Sequence, residues 1–124
     1  LYDGFHLIDA NRRFMIWSRG AEILFGRSMK EMLGQTWSCQ LLGYREMQGR
    51  DIADEKSPLQ AAVTSGRSTV VQMEAQRSDT RHLRVELQAI PLFDDVGTLQ
   101  GVAEFYRDLA RTGSKTPHEF NELQ

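Results

Sequence analysis

The spacing of hydrophobic and polar positions changes along the chain, and its first part has the spacing of short strands. Apolar and aromatic residues form two runs, residues 5–8 and 14–18, with "DANRR" between them. Asp9 and Asn11 in this link are residues that favour turns. The pattern therefore predicts a β-hairpin at the start of the chain.

The next stretch, "AEILFGRSMKEMLGQ", contains two short apolar runs that each end in a glycine. Gly26 and Gly34 can adopt the left-handed conformation that closes a helix, and Ser28 with Glu31 has the spacing of a capping box that opens the second one. Helices below about 12 residues are marginal in water, so we expect both to be stabilised by packing against a larger element.

A third helix is predicted from "SPLQAAVTSG", in which Ser57 can cap the N-terminus, Pro58 takes the first helical position and Gly66 closes the end. The preceding residues, 36–56, are polar, include two glycines and show no sustained period. We expect a loop there, with a turn of helix at most.

The last part of the chain has the pattern of three antiparallel strands, residues 68–76, 81–92 and 98–108, joined by the hairpin-length links "RSDT" and "DDVG". The middle strand alternates most clearly, which predicts one buried and one polar face. Its apolar face comprises Leu83, Val85, Leu87 and Ala89.

This order of elements predicts an α+β fold with short helices gathered on one face of an antiparallel sheet. Short helices over a sheet can enclose a small cavity between the two layers. We assign residues 1–111 to one domain, and interpret the polar residues 112–124, which contain Gly113 and Pro117, as a linker.

Composition narrows the function further. A chain of 124 residues with 40% hydrophobic and 26% charged residues fits one globular domain, and a net charge of −2 favours neither nucleic acid nor an anionic membrane as a partner. The single cysteine excludes an intramolecular disulfide and suits a cytoplasmic setting. Because the chain begins "LYDGF" without methionine, we expect it to be part of a longer protein.

Three segments together resemble a PAS domain, the sensory and dimerisation module of bacterial signalling proteins. They are "DGFHLIDANRRFMIWSRGAEILFGRSMKEMLGQ", "SPLQAAVTSGR" and "IPLFDDVGTLQGVAEFYRDL". The family's tryptophan and small-residue helix correspond to Trp17 and "GAEILFG". Its final Asp-aliphatic-Thr signature appears as Asp108-Leu109-Ala110, which lacks the threonine hydroxyl.

The resemblance implies a five-stranded antiparallel sheet in the order 2-1-5-4-3 and a regulatory role without catalysis by this segment. It also implies a homodimer and an effector domain in the same chain. "CQLLGY" and "GRDIADEKSPLQ" are similar to modules that precede diguanylate cyclase domains, and a histidine kinase is the alternative effector. The resemblance names no ligand, because family members bind different cofactors, small molecules or nothing.

Covalent flavin is disfavoured from the sequence. Cys39 lies near the position of the reactive cysteine in the flavin-binding branch of the family, but Gln35 and Thr36 replace the residues expected before it, and the amide side chains that would bind the flavin ring are missing near Val85 and Tyr106. We therefore interpret Cys39 as a partly buried structural residue.

Haem is disfavoured as well, because the helix after Ser57 carries no histidine to serve as an axial ligand. His82 falls on the polar side of its strand and His6 lies next to a turn, so both are interpreted as surface or capping residues. Met73 and Cys39 remain open as ligands. A small organic ligand or none is the expectation, and no metal site, catalytic triad or acid–base pair is predicted.

The final strand carries the strongest prediction about binding, since Glu104 and Tyr106 share a face with Val102 while Ala103 and Phe105 occupy the other. If the Val102 face is buried, Glu104 and Tyr106 place polar groups in an apolar pocket. The alternative is that Glu104 pairs with an arginine and the Tyr106 hydroxyl meets a backbone carbonyl. The predicted ligand-binding residues are Trp17, Leu24, Phe25, Leu41, Leu59, Val63, Met73, Val85, Leu87, Glu104 and Tyr106.

Asp108 is predicted to carry the output signal. It ends the last strand, and in the family the equivalent acidic residue ties the sheet to the helix that leaves the domain. A domain without a ligand, which only dimerises through the outer face of the sheet and positions a neighbour, is the alternative function.

Overall fold

The computed structural model describes residues 1–110, and the predicted linker, residues 112–124, lies outside them. The elements described for residues 1–110 are five strands and four α-helices. The strands are β1 (Gly4–Asp9), β2 (Phe14–Trp17), β3 (Thr69–Gln76), β4 (His82–Phe93) and β5 (Leu99–Asp108). The helices are α1 (Arg19–Phe25), α2 (Met29–Met32), α3 (Cys39–Leu42) and α4 (Pro58–Ser65), with a 3-10 turn at Asp54–Lys56.

The strands form one antiparallel sheet in the order β2-β1-β5-β4-β3. The predicted fold class and strand order are therefore confirmed. Hairpins join β1 to β2, β3 to β4 and β4 to β5, and the helical segment between β2 and β3 connects the two edges of the sheet. The core lies between the inner face of the sheet and these helices, and its members come from nearly every element.

The helix boundaries follow the capping signals in the sequence. Ser28 and Glu31 form the predicted capping box of α2. In α4, the Ser57 side chain accepts a hydrogen bond from the backbone of Gln60, Pro58 opens the helix and Gly66 closes it with φ of 72°. The 36–56 segment is more ordered than its polarity indicated, because Ser38 and Gly43 cap α3 within it.

The C-terminus of α1 is held by the turn between β3 and β4. Arg77 Nη1 donates to the carbonyl oxygens of Ile23 at 2.9 Å and Leu24 at 2.6 Å, and the backbone of Ser78 donates to Phe25 O at 2.9 Å. The last carbonyls of a helix have no partner within it, so tertiary contacts must satisfy them. This contact explains how a helix of seven residues persists.

We expect Gly26→Val to lower the free energy of unfolding by at least about 1 kcal/mol, because a β-branched residue is strained at positive φ. Gly26 has φ of 66°, and a Cβ there would lie 2.6 Å from Ser78 Oγ. Gly66→Val is the matched control, since its φ is 72° but no atom lies within 4 Å of its Cβ position. Urea unfolding of both variants separates the cost of backbone strain from the cost of disturbing the contact with Ser78. If both variants lose the same free energy of unfolding, the contact with Ser78 is unimportant.

Candidate functional site

The register of the sheet places two polar residues opposite each other in the core. His6 of β1 pairs with Glu104 of β5, and both side chains are fully buried. Val102, Glu104 and Tyr106 are all buried, so the face that the sequence left undecided is the one toward the helices. A histidine and a carboxylate without access to water must satisfy each other or find further partners.

Five side chains make one hydrogen-bonded cluster, which we call the core network: His6, Trp37, Tyr44, Glu104 and Tyr106. Glu104 Oε1 lies 2.9 Å from His6 Nε2, 3.1 Å from Trp37 Nε1 and 2.8 Å from the Tyr44 hydroxyl. The Tyr106 hydroxyl lies 3.0 Å from His6 Nδ1 and also contacts the Tyr44 hydroxyl. Three hydrogen-bonding groups therefore converge on one buried carboxylate oxygen.

Trp37 and Tyr44 enter the network from the irregular segment above the sheet. The backbone of Trp37 donates to Arg12 O at 2.7 Å, and Tyr44 follows Gly43, which closes α3 with φ of 63°. Arg45 then forms a two-way backbone pair with Glu74 of β3 at 3.0 and 2.9 Å. These contacts attach the segment to both halves of the sheet and fix the two aromatic side chains over β5.

Sequence reasoning missed Trp37 and Tyr44, because they lie where no period marks a buried face. The available signal was the presence of two large aromatic residues in an otherwise polar stretch, since such residues are seldom left in water. The interpretation of His6 as a surface or capping residue was wrong: alternation along β1 puts it on the inner face with Ile8. His82 is exposed, as predicted.

The partners of Glu104 and Tyr106 also differ from the alternative that the sequence left open. Glu104 pairs with His6 rather than with an arginine, and the Tyr106 hydroxyl meets a histidine nitrogen and a second hydroxyl rather than a backbone carbonyl. The partners are 60–100 positions away in sequence, so no local pattern could identify them.

The predicted ligand-binding residues all belong to, or pack against, one core. Leu41 and Val63 are partly buried at its margin. The buried ones are Trp17, Leu24, Phe25, Leu59, Met73, Val85, Leu87, Glu104 and Tyr106. These side chains pack into the same core, and their role in binding stays a prediction.

The charge state of the two tyrosines follows from their surroundings. Burial, and after it the nearby Glu104 carboxylate, raises the pKa of Tyr44 well above its usual value. The same two causes raise the pKa of Tyr106. Both phenols therefore keep their protons at neutral pH. Within residues 1–110, the second carboxylate oxygen, Glu104 Oε2, is buried and has no hydrogen-bond partner.

Two clefts lie on the helical side of the fold, next to the segment that carries Tyr44. The first has a volume of about 540 Å³, and Cys39, Tyr44 and Asp54 line it. The second, of about 630 Å³, lies between the 3-10 turn and β3, with Pro58 and Val71 in its walls. Tyr44 thus reaches from the wall of the first cleft to Glu104 in the core.

Cys39 does not fit the role of a flavin-reactive thiol. Its side chain is buried, and its backbone donates to Asp54 Oδ1 at 2.8 Å. Burial, followed by the charge of Asp54, raises the pKa of the thiol and disfavours the thiolate that would react. Aromatic residues, among them Trp17 and Tyr106, are buried in the same core. No group of three or more His, Cys, Asp or Glu side chains in residues 1–110 could hold a metal ion.

Asp108 lies at the end of β5, where the two ends of the described chain meet. Its backbone donates to Asp3 Oδ2 at 2.7 Å, and its Oδ1 accepts from the backbone of Ala110 at 3.0 Å. The backbone of Asp3 in turn donates to Tyr106 O at 2.8 Å. The last residues of β5 are therefore connected both to the core network and to the residues that follow the strand.

The comparisons with known proteins agree with this architecture. A family model described as the PAS fold matches residues 1–112. A solved PAS domain of a protein from Colwellia psychrerythraea is 18% identical, with 90% of this chain and 89% of that chain covered at a TM-score of 0.69. No curated protein sequence matches the chain.

Two further solved structures show how widely the fold is distributed. The light-state structure of the blue-light photoreceptor Aureochrome1 LOV is 22% identical, covering 98% of this chain and 91% of that chain at a TM-score of 0.67. The PAS domain from the fruit-fly ELK potassium channel is 12% identical, covering 86% of each chain at a TM-score of 0.67. At these identities, the likeness shows the fold alone.

Proposed function

This chain belongs to the PAS family, and we propose that it senses a small ligand in the interior of the fold. Members of this family are in general non-catalytic sensory and regulatory modules. The signal would pass through Asp108 and residues 112–124 to an effector domain in the same chain. A diguanylate cyclase is the effector that the sequence favours, a histidine kinase is the alternative, and the proposed setting is the cytoplasm of a bacterium. Among residues 1–110, no helix is long and apolar enough to cross a membrane.

The observation that carries this proposal is the position of the core network on β5. Glu104 and Tyr106 belong to the network, and the same strand ends at Asp108. Two residues of a strand span about 7 Å, so a change in the network is transmitted over a short, rigid distance to the exit of the domain. A buried polar group lowers the stability of a protein unless all its hydrogen-bonding atoms have partners. The presence of such a group in this core therefore favours a functional role for it.

Native mass spectrometry of the purified protein, combined with an absorbance scan, tests whether a ligand is bound. The expected result is a reproducible extra mass that is lost on denaturation. A protein without extra mass, colour or a response to added small molecules would contradict the sensory function.

We expect Asp108→Ala to change the activity of the attached effector more than it changes the stability of the domain. The substitution removes the side-chain acceptor of the Ala110 amide and leaves the backbone contact with Asp3 in place, and loss of such an acceptor typically lowers the free energy of unfolding by about 1 kcal/mol. Effector turnover in the full-length protein and urea unfolding of the domain give the two readouts. Asp95→Ala, in the exposed turn before β5, is the control. If effector activity falls only as far as the loss of stability explains, Asp108 has a structural role and does not carry the signal.

The outer face of the sheet supports the second function, dimerisation with another copy of the chain. An apolar row crosses four strands: Ile16 pairs with Leu7, Leu7 with Ala103, and Ala103 with Ile90. Phe5 and Phe105 stack beside it with ring centroids 5.4 Å apart. Ala103 is buried, and its apolar neighbours in the row are partly exposed or exposed. Apolar side chains gathered on the outer face of a sheet commonly mark an interaction site.

Analytical ultracentrifugation of wild type and Ile16→Glu tests this second function. Ile16 is 42% exposed, so the change should weaken a dimer without disturbing the core. A monomeric wild type at high concentration would exclude it. A dimer that forms independently of any ligand would favour the interaction module over the sensor.

A further inference from the structure

Four members of the core network form a closed ring of hydrogen bonds. His6 contacts Glu104 through Nε2 and Tyr106 through Nδ1. The ring closes through Tyr44, whose hydroxyl contacts both Glu104 Oε1 and the Tyr106 hydroxyl. Each hydrogen bond holds one proton, so these four contacts require four protons.

The proton count determines the charge of the ring. Tyr44 and Tyr106 remain phenols and contribute one proton each, so His6 and Glu104 together must hold the other two. The pair then has no net charge. Trp37 Nε1 and the Tyr44 hydroxyl both donate to Glu104 Oε1, and donors that converge on one carboxyl oxygen favour its ionised form. We therefore assign an imidazolium to His6 and a carboxylate to Glu104 from the hydrogen-bond pattern.

Glu104 Oε2 stands outside this ring. It is buried, and no donor within residues 1–110 reaches it. A buried carboxylate oxygen without a donor is unfavourable, so a hydrogen bond from another molecule would stabilise the site. Because the first cleft borders Tyr44, a molecule in this cleft is separated from Glu104 by a single side chain.

The charge of the ring restricts what that molecule can be. A deprotonated acid group has no hydrogen to donate to Oε2, and the negative charge of an anion would be repelled by the carboxylate. A cation would add an unbalanced charge to a buried site whose own charges already cancel. An uncharged molecule with an O–H or N–H group can donate a hydrogen bond to Oε2 without changing the net charge of the site.

We propose that the interior site binds a small, uncharged molecule whose hydroxyl or N–H group donates to Glu104 Oε2, and that it enters from the cleft beside Tyr44. This inference rests on the proposed sensory function and specifies the ligand class for it. The apolar surroundings of Glu104, with Trp17 and Phe25 in the same core, favour a ligand with an apolar body and one polar group.

Matched sets of compounds on a common skeleton test the ligand class. One set is 1-phenylethanol, acetophenone, 1-phenylethylammonium and 2-phenylpropanoate, with equivalent sets built on cyclohexyl and isobutyl skeletons. Binding is measured by calorimetry and by chemical-shift changes of the His6 and Glu104 signals. In at least one set, the alcohol should bind about tenfold or more tighter than the ketone, because a hydrogen bond to a charged group is lost with the ketone.

Glu104→Gln provides the sharper comparison. The amide keeps an oxygen for Trp37, Tyr44 and His6 but places a donor where Oε2 was, so the preference for the alcohol should shrink or reverse toward the ketone. Glu86→Gln is the control: Glu86 pairs with Arg107 at 3.2 Å on the outer face, and the preference should stay unchanged. Nitrogen-15 spectra of the His6 ring check the proton count, since a neutral imidazole would overturn it.

The possible outcomes separate the ligand class from the sensory function. Binding of the carboxylate or ammonium compound at Glu104, with shifts along β5, would overturn the uncharged-donor class while supporting a sensory site. Failure of every set, with solvent satisfying Glu104 Oε2, would overturn this inference; if native mass spectrometry also finds no ligand, the sensory function fails with it.

Discussion

Replacing His6 with leucine is expected to lower the free energy of unfolding by about 3–5 kcal/mol, because it leaves the buried Glu104 carboxylate without its partner. His6 and Glu104 are both fully buried, 2.9 Å apart. The same substitution at exposed His82 should change stability by no more than about 0.5 kcal/mol. Urea unfolding followed by circular dichroism measures both.

The double variant His6→Leu/Glu104→Met makes this prediction specific to the pair. Removing both charges eliminates the isolated carboxylate, so the double variant should lose less stability than the sum of the two single variants. We expect a coupling of about 0.5–3 kcal/mol. Trp37 still loses its acceptor in the double variant, so full recovery of stability is not expected. Additive losses would show that the pair acts as two independent polar residues.

Trp17→Ala is expected to cost about 3–5 kcal/mol through the cavity that it creates. The Trp17 side chain is fully buried, with its ring 5.6 Å from His6 and 5.3 Å from Phe25. Its Nε1 donates to Arg27 O at 2.9 Å, which connects the sheet to the segment between α1 and α2. The loss therefore combines packing with a hydrogen bond.

Trp17→Phe separates these two contributions, since it keeps an aromatic ring in the cluster but removes the indole donor. It should cost clearly less than Trp17→Ala, and Ile23→Ala on the exposed side of α1 should be nearly neutral. Thermal and urea unfolding provide the comparison. A loss below about 2 kcal/mol for Trp17→Ala would mean that the surrounding side chains collapse into the space, and that Trp17 does not hold the helical layer in place.

Repetition and capping let the sequence predict most of the fold. Alternation in β4 identified a half-buried strand because side chains of a strand point to opposite faces in turn. The helix limits followed from local residues such as Ser57, Pro58 and Gly26, whose conformational preferences act within a few positions. Alternation also put Glu104 and Tyr106 on one face of β5 with Val102, but it left open whether that face is the buried one.

By itself, the sequence determined the class of fold, the strand order through its family resemblance, and which residues of the last strand share a face. Only the tertiary structure decided which groups meet there: it buried His6, brought Trp37 and Tyr44 out of an aperiodic segment, and joined them to β5. The physical reason is that hydrogen bonds between distant parts of the chain depend on register and on the docking of loops. These are set by the packing of the whole core and leave no periodic trace in the sequence.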